Sequence, residues 1–170
     1  MREHSKRLHK KQFSLLGYPN YLFSRGAVHF EMCAVVVSTD QSLIRLPTIA
    51  FRKKKQIING LSLFASTSRF KAALFVLPVC ERQHFGMNGM SFDLDIHFFD
   101  THGRLVSSFF DAESGSAQSY SSGDPARYAL EIPCCVSRQW KSRKVKSIAV
   151  PAQMKRSKSP LFIKGHTYPR

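Results

Sequence analysis

Apolar and polar residues alternate with a period of two over residues 91–99, which is typical of a β-strand with one buried and one solvated face. Phenylalanine, leucine and isoleucine occupy the even positions of this stretch. The odd positions carry its polar side chains, which are Asp93, Asp95 and His97. A turn is predicted over residues 100–103, and residues 104–110 are predicted to pair back as the second strand of a hairpin.

Five further segments have the composition of strands, and one has the composition of a helix. The predicted strands comprise residues 27–37, 43–51, 73–78, 127–132 and 144–150. Pro47 has no amide hydrogen, so it is expected to confine the second of these strands to a sheet edge or to split it. A short helix is predicted over residues 52–59, ending at Gly60. The pattern predicts a mainly β fold, an antiparallel β-sandwich or barrel-like single domain with one or two short helices.

Composition supports one folded domain with an uneven charge distribution. The chain has 170 residues, of which 43% are hydrophobic and 14 are phenylalanine, and this is sufficient for a hydrophobic core. Its net charge is +15. Residues 71–132 carry −4 (four basic and eight acidic), whereas residues 1–70 carry +9 and residues 133–170 carry +10. The basic character therefore belongs to the two flanks.

This charge distribution suggests a division of the chain into three parts. They are a basic N-terminal extension, a β domain and a basic C-terminal tail, over residues 1–26, 27–150 and 151–170. Clusters of lysine and arginine can contact polyanions such as RNA or anionic lipid without specificity. Because no aromatic residues are interleaved with them as a stacking platform, a solubilising role is favoured for the flanks.

Targeting and cysteine patterns favour a cytoplasmic protein. No segment approaches the roughly 20 apolar residues of a membrane span, and Gly17 and Pro19 interrupt the apolar residues near the N-terminus, unlike a secretory signal. The four cysteines lack paired metal-site spacing, and the adjacent Cys134 and Cys135 are interpreted as free thiols. Without a glycine-rich phosphate loop, no cofactor is predicted.

Two groups of residues are candidates for chemistry. Asp93, Asp95 and His97 would share one strand face, and carboxylates with an imidazole suit a divalent cation. Side chains about 7 Å apart along a strand diverge, however, so a solvated face is favoured over a metal site. The second group is the glycine-containing turn over residues 85–90, which forms either a plug of the core or the lip of a ligand pocket.

Two stretches resemble a known family. They read FGMNGMSFDLDIHFFDTHGRLV over residues 85–106 and YSSGDPARYALEIP over residues 120–133. In order and spacing they are similar to the turn, leucine-aspartate strand, aspartate/glycine hairpin and closing glutamate strand of the bacterial and archaeal family called domain of unknown function 192. The resemblance covers roughly residues 52–133. It implies a compact, mainly β domain and no agreed activity.

The chain also departs from this family pattern. In the turn, Gly86 and Asn88 replace the tryptophan and lysine of the family, and Asp93 replaces a proline before the strand. The family's glycine-rich close after the last strand is missing, and a basic segment follows Cys135. Family members are often exported. If the turn is the working site of the family, this copy is altered there.

The residues shared with the family suggest a polar cleft. Asp95 and Arg127 are predicted to meet from separate strands, either as an ion pair that fixes the sheet register or as an anion-binding arginine held by acidic neighbours. We therefore predict a non-enzymatic binding or accessory module. Its candidate ligand-binding residues are Phe85, Met87, Asn88, Asp95, Arg127 and Glu131. The alternatives are a metal-dependent or hydrolytic enzyme using Asp93, Asp95 and His97, and a protein that docks on RNA or an acidic surface through its basic flanks.

Overall fold

The computed structural model describes residues 22–25, 28–65 and 69–155. Strands predominate in it, and the helices are short. The strands are β1 (Leu22–Arg25), β2 (Val28–Thr39), β3 (Leu43–Phe51), β4 (Ala72–Glu81), β5 (His84–Gly86), β6 (Leu94–Phe99), β7 (Leu105–Ala112), β8 (Ser119–Ser121), β9 (Ala126–Pro133) and β10 (Val145–Ala149). The helices are α1 (Lys54–Asn59), α2 (Cys134–Ser137) and α3 (Ala152–Lys155), and a 3₁₀ turn over Gly60–Leu63 follows α1.

Eight of these strands form one sheet that curves into a nearly closed barrel. The order is β1-β2-β3-β4-β9-β6-β7, and β10 also pairs with β2. All of its pairings are antiparallel except that of β3 with β4. The ends of the sheet approach each other where the amide of Ile148 donates to the carbonyl of Gly103 at 2.8 Å. The predicted mainly β, barrel-like single domain is confirmed.

Gly103 is required at this closure. It has a φ of +79°, and a Cβ built on it would overlap the carbonyl oxygen of Ile148. Only glycine combines this backbone conformation with such a close approach. The turn that the sequence predicts between β6 and β7 therefore also joins the hairpin to β10.

Pro47 does not confine β3 to a sheet edge, and it does not split the strand. The strand β3 is continuous and lies between β2 and β4. Pro47 pairs with Ala34 of β2 and lies one residue before the first β3–β4 pair, Thr48 with Ala72. Its carbonyl accepts a hydrogen bond from the amide of Lys71 at 2.7 Å. The proline is tolerated because it precedes the parallel ladder, where no strand amide is needed from it.

The predicted helix is confirmed at α1, where a buried side chain organises its start. The Gln56 side-chain oxygen accepts hydrogen bonds from the amides of Arg52 and Lys53, at 3.1 and 3.0 Å. Gly60 ends the helix with a φ of +49°. The helix and the 3₁₀ turn after it thus have fixed positions over one face of the sheet.

The central strands β6 and β9 are buried on both faces, which the alternating sequence did not predict. One face of the sheet packs on a phenylalanine-rich cluster that includes Phe75 and Phe98, and the other packs on aliphatic residues that include Leu130 and Ile132. Asp95 and His97 belong to the second face and are 0% and 1% exposed. The prediction that this face is solvated is therefore wrong. It is covered by α2, β10 and the segment between them.

Some described residues fall inside the predicted flanks, and one short strand lies between β7 and β9. β1 lies within residues 1–26 and pairs with β2, and α3 lies within residues 151–170, where Met154 is buried in the core. The small-residue loop over residues 112–125 contains β8, which pairs with β5. The three-part division of the chain remains a prediction. In the part of the chain that the structure describes, no helix is long and apolar enough to cross a membrane.

Candidate functional site

Two buried carboxyl groups lie on opposite faces of the sheet, and the first, Asp95, is fully compensated. The guanidinium of Arg143 binds it through two nitrogens, with Nε 2.9 Å from Oδ2 and Nη2 in contact with Oδ1. The amide of Asp111 donates to Oδ1 at 3.0 Å, and the thiol of Cys134 approaches the same oxygen at 3.5 Å. Bidentate pairing with additional donors is what a buried carboxylate requires.

Asp111 extends this network to the surface. Its backbone is left-handed, with a φ of +53°, a conformation that aspartate tolerates better than most residues. Its carboxylate accepts hydrogen bonds from Arg143 at 2.9 Å and from Arg138 at 2.6 Å. These bonds, that from Arg143 first, lower the pKa of Asp111 to about 2. Two arginines and two aspartates therefore neutralise one another.

The residues predicted as a metal site do not converge. The carboxylate of Asp93 accepts a hydrogen bond from the amide of Ser114 at 2.9 Å, and Nδ1 of His97 is 2.8 Å from the hydroxyl of Ser108. Burial lowers the pKa of His97 to about 4, so the ring is neutral at physiological pH. Each side chain has a separate partner, because successive residues on one strand face point to different neighbours.

Another acidic cluster does form in the described residues, and its chemistry does not suit a cation. Ligand atoms of Asp95, Asp111 and Cys134 lie within 4.8 Å of one another. Both carboxylates already bind the Arg143 guanidinium. Burial raises the pKa of the Cys134 thiol to about 12, whereas a metal ligand must be a thiolate. We interpret this cluster as a structural clamp between β6, β7 and the segment that follows α2.

The second buried carboxyl group lines a pocket on the phenylalanine-rich face. The pocket has a volume of about 310 Å³. Its walls come from three regions: the end of α1 with the 3₁₀ turn, strand β4, and the β5 strand with the turn after it. The buried side chains of Leu61, Phe75 and Leu77 are apolar, whereas Asn59, Ser62 and Asn88 supply polar atoms. This volume lies at the lower end of the range for small-molecule sites.

Glu131 lies in the wall of this pocket. It is 4% exposed, and its cross-strand neighbours, Ala73 of β4 and Ile96 of β6, are apolar. Its Oε2 atom is buried and has no hydrogen-bond partner among the described residues. Burial raises the pKa of Glu131 to about 8. Unlike the oxygens of Asp95, this Oε2 atom receives no hydrogen bond from the residues that the structure describes.

The predicted pairing of Asp95 with Arg127 is wrong. Asp95 lies opposite Ile132 of β9, and the next residue, Ile96, lies opposite Glu131. Asp95 and Glu131 therefore project from opposite faces of the sheet. Arg127 precedes Glu131 by four residues and shares its face, and its guanidinium donates to the carbonyl of Leu77. The partner of Asp95 is Arg143, a residue that sequence reasoning treated only as part of a basic segment.

The other candidate residues lie at or beneath the pocket. Phe85 packs edge-on against Phe75 and Phe98, with ring centroids 4.9 and 5.2 Å away. Met87 is fully buried, and its carbonyl accepts hydrogen bonds from the amides of Met90 and Gly115. Asn88 is exposed and lines the pocket. The structure thus gathers Phe85, Asn88 and Glu131 around one cavity, with Met87 supporting the turn, and leaves Asp95 on the other side.

Sequence reasoning missed the opposite wall of the pocket. This wall consists of the residues from Ile57 to Ser62, together with His84 of β5. The sequence predicts the helix and its end at Gly60, but no local pattern indicates that it faces the turn over residues 85–90. The contact arises because α1 lies in the connection between the parallel strands β3 and β4, which is a property of the topology.

The fold and the pocket define a small, mainly β, barrel-like domain with a buried acid in a cavity. By family, the chain belongs to domain of unknown function 192, described as "Uncharacterized ACR", whose model matches residues 35–148. The resemblance seen in the sequence is thereby confirmed and extended at both ends. No functionally curated protein is significantly similar to the chain.

Two solved structures share the fold. One, from Novosphingobium aromaticivorans, is described as a protein of unknown function; it has a TM-score of 0.67 and 14% identity, and the match covers 76% of this chain and 93% of that one. The other, from Sinorhizobium meliloti, is described as a "putative transcription regulator"; it has a TM-score of 0.66 and 18% identity, with 73% and 97% coverage. At these identities the similarity establishes the fold.

Proposed function

We propose that this domain is a non-enzymatic binding module, and that its ligand is a small molecule that occupies the pocket between α1 and the turn over residues 85–90. The observation that carries this proposal is the unpartnered Oε2 atom of Glu131 in the pocket wall. A bound ligand that presents a hydrogen-bond donor or a positive charge would satisfy it.

Burial of an unpaired polar group lowers the free energy of unfolding. A buried polar atom without a hydrogen bond costs about 1–3 kcal/mol, and a buried charge costs more. The described part of the chain contains few such atoms, which are Glu131 Oε2 and the hydroxyl of Ser107. Among the described residues, Arg143 compensates Asp95, whereas Oε2 of Glu131 has no partner. A ligand group is the simplest partner for a carboxyl group in a cavity wall.

The form of the pocket supports the same role. Its floor is apolar and made of rigid side chains from the sheet, including Phe75 and Leu77, which are 1% and 2% exposed. Its rim includes Gly86, where a Cβ would meet no atom within 4 Å. Apolar walls with a few convergent polar atoms are the usual composition of a ligand site.

Ligand-observed NMR with three probes of one shape would test this proposal. Benzyl alcohol, benzamide and benzylamine each carry one ring and one polar group, so each fits a pocket of this volume. Saturation transfer from the protein to at least one probe is expected. The Gly86→Phe variant should abolish the transfer, because residue 86 lines the pocket and a large side chain there would obstruct it. Leu43→Phe, at a residue that is 75% exposed outside the pocket, should retain it.

Two results would contradict the proposal. The first is the absence of transfer to all three probes from a folded protein. The second is transfer that persists unchanged in Gly86→Phe, because the probes would then bind elsewhere. Circular dichroism of both variants confirms that neither substitution unfolds the domain.

A second candidate function is nonspecific contact with a polyanion, favoured by the net charge of +15. Lys53, Lys54 and Lys55 form a run of exposed lysines at the start of α1. Binding to mixed RNA is expected to weaken steeply with added salt. Removal of residues 1–21 and 156–170 should weaken it further without touching the clamp around Arg143. Salt-independent binding would reject this candidate, and binding unchanged by the truncation would assign the contact to the run of lysines instead of the flanks.

A further inference from the structure

We infer that the pocket selects a small protonated amine, whose ammonium group pairs with the Glu131 carboxylate while its apolar part packs on Phe75 and Leu77. This inference rests on the proposed function, since it requires that the pocket binds a ligand. It adds the chemical class of that ligand. The charges, the apolar surfaces and the protonation of the pocket support this class, in that order.

The first step is the absence of a protein cation near the acid. Among the described residues that line the pocket there is no lysine and no arginine. The neighbours of Glu131 across the sheet are Ala73 and Ile96, and the guanidinium of Arg127, on the same face, is bound to the carbonyl of Leu77. A buried carboxylate is stable only with a cationic or multiple hydrogen-bonding partner. An ammonium ion in the cavity supplies both.

The second step concerns the surfaces around the charge. The rings of Phe75 and Phe85 meet at 82° with their centroids 4.9 Å apart, and both residues line the pocket. Aromatic rings attract a desolvated cation through their negative faces. The remaining polar groups near the rim include the amide of Asn88 and the hydroxyl of Ser62, which offer oxygen acceptors for further ammonium hydrogens. The pocket therefore suits an ammonium on a short apolar group.

The third step is a proton linkage that distinguishes an amine from a neutral ligand. In the empty pocket, burial raises the pKa of Glu131 to about 8, so the carboxyl group is protonated at neutral pH. A bound ammonium favours the carboxylate, so binding at pH 7 releases a proton. The other titratable side chain that lines the pocket is His84, which is exposed on β5. The groups facing Glu131 from β4 and β6 do not titrate.

Calorimetry with benzylamine and benzyl alcohol tests the inference on the full chain, because the two probes differ little except in charge. At pH 8.5, benzylamine is expected to bind at least about tenfold more tightly than benzyl alcohol, corresponding to a charge-assisted hydrogen bond. At pH 7, heats measured in phosphate and in Tris buffer should differ for benzylamine, which reports proton release. They should agree for benzyl alcohol.

The Glu131→Gln variant is the matched control, since it keeps the size of the side chain and removes its charge. It should lose the preference for benzylamine and the proton release, and it should still bind benzyl alcohol. Loss of proton release in Glu131→Gln assigns the proton to Glu131, whereas release that persists in this variant would assign it to His84 and overturn the inference. Equal binding of the two probes by the unmodified protein would overturn the amine inference and leave the pocket standing. Failure of both probes to bind would overturn the proposed function as well.

Discussion

Asp95 and Glu131 are buried carboxyl groups on neighbouring strands, and the two faces of the sheet treat them in opposite ways. Asp95 receives a bidentate guanidinium, a backbone amide and a thiol. Glu131 has apolar neighbours across both adjacent strands and an oxygen with no partner among the described residues. The difference shows that burial of an acid alone does not mark a site. An uncompensated acid beside a cavity is the stronger indication, because the chain gains nothing from it in the absence of a ligand.

Asp95 and Glu131 also differ in their effect on the stability of the fold. Asp95 fixes the segment after α2 to the hairpin, and so it contributes to the fold. Glu131 carries the cost of an unpartnered buried oxygen, and we propose that it is available for binding. A site that weakens the fold is a common cost of function. Substitutions on the two faces of the sheet test this distinction.

Removal of the guanidinium from the clamp should have the largest effect on stability. The Arg143→Met variant leaves Asp95 buried without its cation, and we expect a loss of about 3–5 kcal/mol in the free energy of unfolding. Urea denaturation followed by circular dichroism measures it. A loss no larger than that of an exposed substitution would show that Asp95 is compensated by its other donors alone.

Replacement of the uncompensated acid should have the opposite sign. The Glu131→Met variant removes the unpaired oxygen and keeps much of the volume, so we expect stabilisation by about 1–3 kcal/mol at pH 8. The pKa of Glu131 is raised in the folded state, so its cost appears as pH rises from about 4.5 towards about 8. The gain in the variant should therefore shrink as pH is lowered to about 4.5. Destabilisation at pH 8 would mean that Glu131 has a partner.

His97, on the other face of the sheet, should make the protein less stable as pH falls. This is opposite to the effect expected for Glu131, whose cost grows as pH rises. The folded-state pKa of His97 is lowered from 6.5 to about 4, so the unfolded chain takes up a proton first as pH falls. Stability should decrease through this window, by about 2–3 kcal/mol between pH 7 and pH 4.5. A His97→Gln variant, compared with the unmodified protein in urea at pH 4.5 and pH 7, should lack this decrease. The same decrease in both proteins would assign it to other groups.

The smallest effect is expected at the exposed end of the clamp. Arg138 binds Asp111, but its side chain is 58% exposed, and exposed ion pairs contribute little to stability. The Arg138→Met variant should unfold at nearly the same urea concentration as the unmodified protein. A loss comparable to that of Arg143→Met would show that the whole network, and not only its buried half, holds the segment after α2.

Much of the fold could be predicted from local patterns. The alternation over residues 91–99 and the turn after it predict β6, β7 and their pairing, because strand periodicity and turn residues act over a few positions. The end of α1 at Gly60 is local in the same sense. The position at which β3 tolerates Pro47 depends on where the β3–β4 ladder begins. That point is set by Ala72, which lies far along the chain, so the local sequence predicts an edge residue instead.

The site was predicted only in part. The sequence indicated Phe85, Asn88 and Glu131, but it grouped them with Asp95, which lies on the other face. The sequence predicts that the strands carrying Asp95 and Arg127 are neighbours, but it does not fix the register between them. A shift of one residue in that register exchanges the faces, so the pattern alone could not decide between Arg127 and Arg143.

Residue order over short distances was sufficient to predict most of the strands, the helix end, the family and a polar turn, but it did not indicate β1, β5 or β8. Tertiary structure decided which acid is paired and which is left in a cavity. It did so through strand register and through the return of the segment after α2 over one face of the sheet. Compensation of a buried charge depends on distances between residues tens of positions apart, and only the folded chain sets those distances.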